Sequence, residues 1–189
     1  MLIVSRNIIL VLICFPFFVF GGSREDLKFD FHQNDSSYSF RGSFVVDADP
    51  DCLITVILDF EHISKYASGA AAVEMLRQGN NWTEVSYTYR RFIFPENTSV
   101  WRRTLYRDRN ELVFEMISSK NNLKIMPEVL SSSGYYRIRN VENGCRMEYF
   151  QQCNLNTDFL KKTYIKSVRK EAVEFLTGFR DYVEKTCIH

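Results

Sequence analysis

Residues 157–185 read TDFLKKTYIKSVRKEAVEFLTGFRDYVEK, and this stretch decides the fold. Its apolar side chains recur at steps of three and four residues, which places on one helix face Ile165, Val168, Ala172, Phe175, Leu176, Phe179 and Val183. Thr157 or Asp158 is a suitable N-cap, because either side chain can accept a hydrogen bond from a free N–H of the first turn. Gly178 need not end the helix, since a helix glycine often permits a close approach. A helix of this length spans about 40 Å and needs a broad apolar surface to cover.

The middle of the chain supplies that surface, because it reads as strands separated by turn residues. We expect strands at residues 38–47, 72–78, 82–94, 99–107, 111–118, 135–140 and 146–152. Asn143-Gly144 is a strong signal for the last hairpin. Asp49-Pro50 can begin a short helix, residues 59–66 read as a second, and residues 23–37 read as a loose lead-in. The sequence therefore predicts an α+β fold with about seven antiparallel strands in meander order, two short helices after the first strand, and one long C-terminal helix.

Residues 1–22 have the pattern of a secretory signal peptide. Arg6 gives a positive start, residues 8–20 are apolar, and small residues follow at 21–23. The apolar run is shorter than the roughly 20 residues that a membrane-spanning helix needs. We therefore expect cleavage near residues 21–23 and a folded domain at residues 38–187 that is periplasmic or secreted. An uncleaved N-terminal anchor is the alternative.

Export would permit disulfide bonds, and four cysteines would remain after cleavage. Cys145 and Cys153 are expected along one strand, too far apart to bond to each other. Any bridges would then join these two residues to Cys52 and Cys187. The alternative is four buried free thiols.

Composition limits the classes of function. A chain of 189 residues with 46% hydrophobic residues can form one domain with a substantial core. The net charge is only +1, whereas a nucleic-acid-binding protein needs a strongly basic surface. We therefore predict no nucleic-acid partner.

Two segments near the start of the domain carry a family resemblance. Residues 44–50 read FVVDADP and residues 56–66 read VILDFEHISKY, in which Asp59, Phe60, Ile63 and Tyr66 match a D-[FY]-x-x-[YI]-x-x-[FY] turn. Over residues 38–185 the chain resembles the helix-grip (SRPBCC) superfamily of START domains, polyketide cyclases and the birch-pollen allergen, and most of all its polyketide cyclase/dehydrase-type and coenzyme Q-binding members. The resemblance implies a curved sheet wrapped on the long helix, with a cavity for a hydrophobic ligand between them.

Strand and helix periodicity then indicate which side chains face that cavity. The candidate ligand-binding residues are Tyr87, Tyr89, Arg91, Phe114, Met116, Tyr136, Met147 and Tyr149 from the strands, and Tyr164, Val168 and Phe175 from the helix. The alternative is that these residues form an ordinary packed core. Arg91 would either anchor a ligand headgroup, pair with a carboxylate or reach solvent at the strand end.

Signs of catalysis are few. The three histidines are His32 in the lead-in, His62 in the family turn and the terminal His189, and none is a convincing general base. We find no metal-ligand spacing, no phosphate-binding glycine loop and no nucleophile elbow, so neither a metal nor a cofactor is predicted. Binding or carriage of a lipid or another apolar molecule is therefore favoured over the alternative, a cyclase- or hydratase-type enzyme using the same cavity.

Two further segments carry hypotheses about surfaces. Arg90, Arg102, Arg103, Arg107 and Arg109 read as a basic outer patch, which we interpret as a solvated face first and a transient membrane-surface contact second. Residues 123–130 are too apolar for an ordinary loop. They would form either a gate over the cavity or an extended edge strand.

Overall fold

The computed structural model describes residues 27–67, 70–91, 94–120, 128–156 and 161–188. The strands are β1 Lys28–Gln33, β2 Ser37–Val46, β3 Ala70–Gln78, β4 Trp82–Arg91, β5 Phe94–Tyr106, β6 Glu111–Lys120, β7 Glu128–Val141 and β8 Gly144–Asn156. The helices are α1 Pro50–Leu58 and α2 Lys161–Cys187, with short 3₁₀ helices at Phe60–Lys65 and Arg107–Arg109. The predicted signal peptide, residues 1–22, lies outside the described residues.

The strands form one antiparallel sheet in the order β1-β2-β8-β7-β6-β5-β4-β3. Strands β3 to β8 follow one another as a meander, and β2 then pairs with β8. Gly144 begins β8 with a positive φ of 111°, which explains the hairpin signal of Asn143-Gly144. The predicted α+β helix-grip architecture is confirmed.

Within the described ranges the sheet has eight strands, one more than the predicted seven, and the prediction of a loose lead-in was wrong because that segment contains β1. Phe29 and Phe31 alternate with polar residues along β1, and β1 pairs with β2 in register from Lys28 opposite Ser43. The ring of Phe31 stacks on that of Tyr38, with centroids 5.9 Å apart. The two short helices therefore follow the second strand, not the first. The strand was missed because β1 has only two apolar side chains, and the residues around them are polar or charged.

The segment that was interpreted as a gate or an edge strand divides at residue 128. Residues 121–127 lie outside the described residues. From Glu128 onward the chain is strand β7, with Glu128 opposite Asn156 and Val129 opposite Leu155 of β8. The gate interpretation is therefore wrong for Glu128 and Val129, because their backbone pairs within the sheet, and Leu130 lies at a register irregularity of the same strand.

Helix α2 lies against the sheet face that we call the inner face. A Cβ atom on Gly42 of β2 would clash with the Leu176 side chain, so the missing side chain lets the helix reach the strand. A Cβ on Gly178 would lie 2.9 Å from the backbone oxygen of Tyr66. Gly178 thus permits a close approach, as expected, but to the 3₁₀ segment after α1. No helix in the described ranges is long and apolar enough to cross a membrane.

The cysteine pairing corrects the sequence interpretation. Cys52 of α1 and Cys187 in the last turn of α2 form a disulfide across 135 residues. Cys145 and Cys153 both lie in β8, are buried and remain free thiols. The expectation that bridges would use these two residues was wrong, because their side chains belong to the apolar interior. Cys145 packs with α1 and the C-terminal half of α2, and Cys153 with the N-terminal half.

Candidate functional site

The space between the sheet and α2 is packed to different degrees along the helix. At the end next to α1, the interior is filled by side chains with almost no exposed surface, namely Leu53, Leu112, Met147, Phe179 and Val183. Each apolar side chain of this size stabilises the fold by about 1.5–3 kcal/mol when buried. This end is an ordinary core, and it holds the helix on the sheet.

Further along the inner face, several large side chains keep accessible surface. They are half-buried although they face the helix, and they comprise Tyr89, Trp101, Met116 and Tyr136 from the sheet with Tyr164, Val168 and Phe175 from α2. Side chains in the centre of a filled core have almost no accessible surface. Accessible surface at this position is what an incompletely filled cleft between sheet and helix would give. We call this part of the inner face the cleft.

Aromatic rings line the junction between the filled end and the cleft. The rings of Tyr136 and Tyr149 meet edge to face with centroids 4.7 Å apart, and Phe175 of α2 lies 5.3 Å from Tyr149. Phe114 lies 5.6 Å from Tyr136 and 5.7 Å from Tyr149. Tyr66 brings the 3₁₀ segment into the same group, with its centroid 5.9 Å from that of Phe175. The result is a continuous apolar wall that carries phenol hydroxyls.

The phenols of this wall and of Tyr89 in the cleft are protonated at any ordinary pH. Burial raises the pKa of Tyr89, Tyr136 and Tyr149 above the usual range for tyrosine. Burial also raises the pKa of Tyr66, while the positive charge of Arg103 acts in the opposite direction on both Tyr66 and Tyr136. These hydroxyls can therefore donate hydrogen bonds, but they are poor bases.

Arg103 faces the interior, so its assignment to a basic outer patch was wrong. It is only 7% exposed, one guanidinium nitrogen (Nη2) donates to the Ile57 carbonyl of α1, and the group lies 5.9 Å from the Phe60 ring centroid. Arg102 points to the opposite face, where its guanidinium bonds the Glu84 carboxylate at 2.8 Å. Adjacent residues of a strand point to opposite faces, and the run of two arginines obscured this alternation.

A network of polar side chains adjoins the aromatic wall at Tyr149. The Tyr149 hydroxyl donates to Gln151 Oε1 at 2.7 Å, and Gln151 Nε2 donates to Ser132 Oγ at 2.9 Å. Ser132 Oγ in turn lies 3.0 Å from Cys153 Sγ. Burial raises the pKa of the Cys153 thiol. Because its members satisfy one another, this network reads as part of the interior and not as a nucleophilic site.

The structure brings together most of the predicted site residues. The ring centroids of Tyr87 and Tyr89 lie 6.3 Å apart on β4. The aromatic wall contains Phe114, Tyr136, Tyr149 and Phe175. Met116, Tyr164 and Val168 are half-buried at the cleft. Met147 belongs instead to the filled end, where it has no exposed surface. The Arg91 side chain lies outside the described residues.

Sequence reasoning missed two residues of the inner face, Trp101 and Arg103. Residues 99–106 read SVWRRTLY, and alternation from buried Ser99 places Trp101, Arg103 and Leu105 on the same face. That signal was present in the sequence. His62, in contrast, lies away from the wall and pairs its Nδ1 with the Asp59 carboxylate at 2.6 Å. Among the described residues, no three His, Cys, Asp or Glu side chains are grouped to hold a metal ion.

Comparison with known proteins places this geometry in a family. A model of the family described as polyketide cyclase / dehydrase and lipid transport matches residues 37–184. No curated protein sequence matches the chain.

Solved structures of low sequence identity share the fold. The STAR-related lipid transfer protein from Xanthomonas axonopodis is 15% identical with a TM-score of 0.63, over 84% of this chain and 94% of its own. The Zhui aromatase/cyclase from Streptomyces sp. R1128 is 15% identical with a TM-score of 0.62, over 85% and 95%. Human STARD10 is 14% identical with a TM-score of 0.61, over 84% and 73%. Since the family model covers most of its length, the chain belongs to the polyketide cyclase / dehydrase and lipid transport family.

Proposed function

We propose that the chain is an exported protein that binds or carries a lipid or another apolar small molecule in the cleft between the sheet and α2. The observation that carries the proposal is the half-buried state of Tyr89, Met116, Tyr136 and Phe175 on the inner face. Apolar surface that the fold leaves partly accessible is stabilised when an apolar molecule covers it. The family description, which includes lipid transport, supports the same conclusion.

Mass spectrometry of the purified protein tests this proposal. Under native conditions we expect a fraction of the protein to carry a bound lipid-sized mass that organic extraction releases. A Tyr136→Trp variant, which adds volume at the cleft, should carry less of it. Protein that is empty after purification and takes up no apolar probe would refute the proposal.

A cyclase- or hydratase-type enzyme acting on an apolar substrate is the second candidate. One observation favours it, namely that a buried cation, Arg103, lies near the phenols of Tyr66 and Tyr136 and could polarise a carbonyl group. Against it, burial raises the pKa of the Tyr66 and Tyr136 phenols, which makes them poor bases. Chemical comparison of the bound molecule before and after incubation separates the two candidates, since a carrier returns it unchanged.

Export is the cellular part of the proposal. The basic and apolar pattern of residues 1–22 supports it, and the Cys52–Cys187 disulfide suits an oxidising compartment. N-terminal sequencing of the exported protein should find a start near residues 21–23. An exported, membrane-bound form that retains Met1 would contradict cleavage. Transient contact with a membrane surface would serve loading of a lipid, and sedimentation with anionic vesicles would reveal it.

A further inference from the structure

We propose that Arg103 is the anion-binding residue of the cleft, and that the ligand is an amphiphile with an apolar chain and a single carboxylate group. The inference rests on the proposed binding function and adds the chemical class of the ligand. Its basis is a buried cation that the described part of the fold leaves without a counter-ion.

Arg103 differs from the other buried charged residues of the described chain. Those residues are Glu84, Arg103 and Glu111. Glu84 bonds the guanidinium groups of Arg77 and Arg102, and Glu111 bonds Arg137 at 2.6 Å. Arg103 forms no ion pair within the described ranges, and its Nη1 atom is buried without a hydrogen-bond partner.

An unpaired buried arginine cannot become neutral by losing its proton, because its guanidinium group stays charged in proteins. The fold offers partial compensation. Nη2 donates to Ile57 O at the C-terminal end of α1, where the helix dipole is negative, and the Phe60 ring lies nearby. Neither partner carries a full negative charge. An anion that reaches Nη1 would therefore gain a charge-assisted hydrogen bond in a position with little water.

The single charge of Arg103 favours a monoanionic headgroup, of which a carboxylate is the simplest, over a dianionic phosphate monoester. The charge of Arg103 acts on the phenols of Tyr66 and Tyr136, so these hydroxyl groups lie in the same part of the interior. One positive charge balances one carboxylate. A dianionic phosphate would leave a net negative charge beside the negative end of α1, which is unfavourable in a buried position. The half-buried apolar side chains that follow along the inner face would receive the chain of the amphiphile.

Binding of two probes of equal chain length tests the inference. Decanoate and 1-decanol are titrated into the delipidated full chain, and acetate serves as the headgroup without a chain. We expect decanoate to bind about 10–100-fold more tightly than 1-decanol, the range for hydrogen bonds to a charged group. The Arg103→Met variant keeps most of the side-chain volume and should lose this preference. Arg139→Gln removes an exposed outer arginine, 57% accessible, and should keep it.

Thermal unfolding separates a binding role from a structural role. Removal of an unpaired buried charge should leave the melting temperature of ligand-free Arg103→Met equal to or above that of the wild type. Decanoate should raise the melting temperature of the wild type far more than that of the variant.

The outcomes are distinguishable. Equal affinity for decanoate and 1-decanol in the wild type would refute the role of Arg103 and leave the apolar binding function standing. No binding of either chain-bearing probe would refute both. Tight binding of acetate alone would show an anion site without an apolar cleft, which also contradicts the inference. A preference that survives in Arg103→Met would place the anion site elsewhere.

Discussion

Breaking the disulfide between α1 and α2 should lower the stability of the domain by a predictable amount. Cys52 and Cys187 close a loop of 135 residues, so the bond restricts nearly the whole domain in the unfolded state. The chain-entropy relation for a loop of that size gives about 5 kcal/mol at room temperature. Measured losses on removing native disulfides are commonly about 2–5 kcal/mol, so the calculated value is an upper figure.

The test is a double variant, Cys52→Ala/Cys187→Ala, unfolded in guanidinium chloride and by heat. Fluorescence of Trp82 and Trp101 reports on β4 and β5, which are distant in sequence from both cysteines. For a domain of this size, a loss of about 5 kcal/mol corresponds to a fall in Tm of about 10–20 °C. The wild type in excess reductant should unfold at nearly the same point as the double variant.

Two results would contradict the reasoning. If reductant leaves the wild-type transition unchanged, the bond does not form in solution. If the reduced wild type is far more stable than the double variant, the loss arises from the packing of the two sulfur atoms and not from the link. Cys145→Ala is the matched control, because it removes a buried free thiol. Reductant should lower the stability of the Cys145→Ala variant by the same amount as it lowers the stability of the wild type.

Three further outcomes follow from the geometry of the interior. Phe175→Asp places a charge without a partner in the aromatic wall and should cost several kcal/mol, whereas Phe175→Leu, which stays apolar, should cost clearly less, as chemical denaturation would show. Gly178→Ala should lower Tm although alanine favours a helix by about 1 kcal/mol, because the new Cβ would lie 2.9 Å from Tyr66 O; a higher Tm would mean that the 3₁₀ segment moves freely. The hydrogen bond from Arg102 holds the pKa of Glu84 below its usual value, so its contribution is complete above the unfolded pKa and is lost as the pH falls through the folded pKa. Wild-type Tm should therefore fall more steeply on acidification than that of Glu84→Gln, and parallel curves would contradict this.

The elements that the sequence predicts well are those with long, local patterns. The face of α2 follows from a periodicity sustained over several turns, and the β7–β8 hairpin follows from Gly144, whose positive φ few other residues adopt. β1 has only two apolar side chains, Phe29 and Phe31, and gains its order from pairing with β2. The order of such a strand depends on its pairing with a neighbouring strand, and no local pattern within the strand itself predicts that pairing.

Other features depend on distances that no local pattern contains. The pairing of Cys52 with Cys187 requires the last turn of α2 to lie beside α1, and two alternative partners were available in β8. Strand alternation predicts that the Arg103 side chain points to the inner face. The absence of an ion-pair partner could not be predicted, because it depends on every element that packs around the guanidinium group. The same limit applies to the cleft. Periodicity tells which residues face inward, and only the packing of the helix decides that Met147 is enclosed while Met116 keeps accessible surface.

The unequal packing of the interior would divide stability and the proposed binding between different side chains of one helix. The C-terminal half of α2 carries Phe179 and Val183 into the filled end and is tied to α1 by Cys187, so this half holds the fold. The N-terminal half carries Ile165 and Ala172 into a second buried cluster, whereas the neighbouring Tyr164 and Val168 are half-buried. An apolar cleft is unfavourable in water when empty, and a fold can keep one only if enough surface is buried elsewhere. Because the buried clusters and the disulfide supply that stability, the side chains of Tyr164, Val168 and Phe175 can stay incompletely packed and available to the proposed ligand.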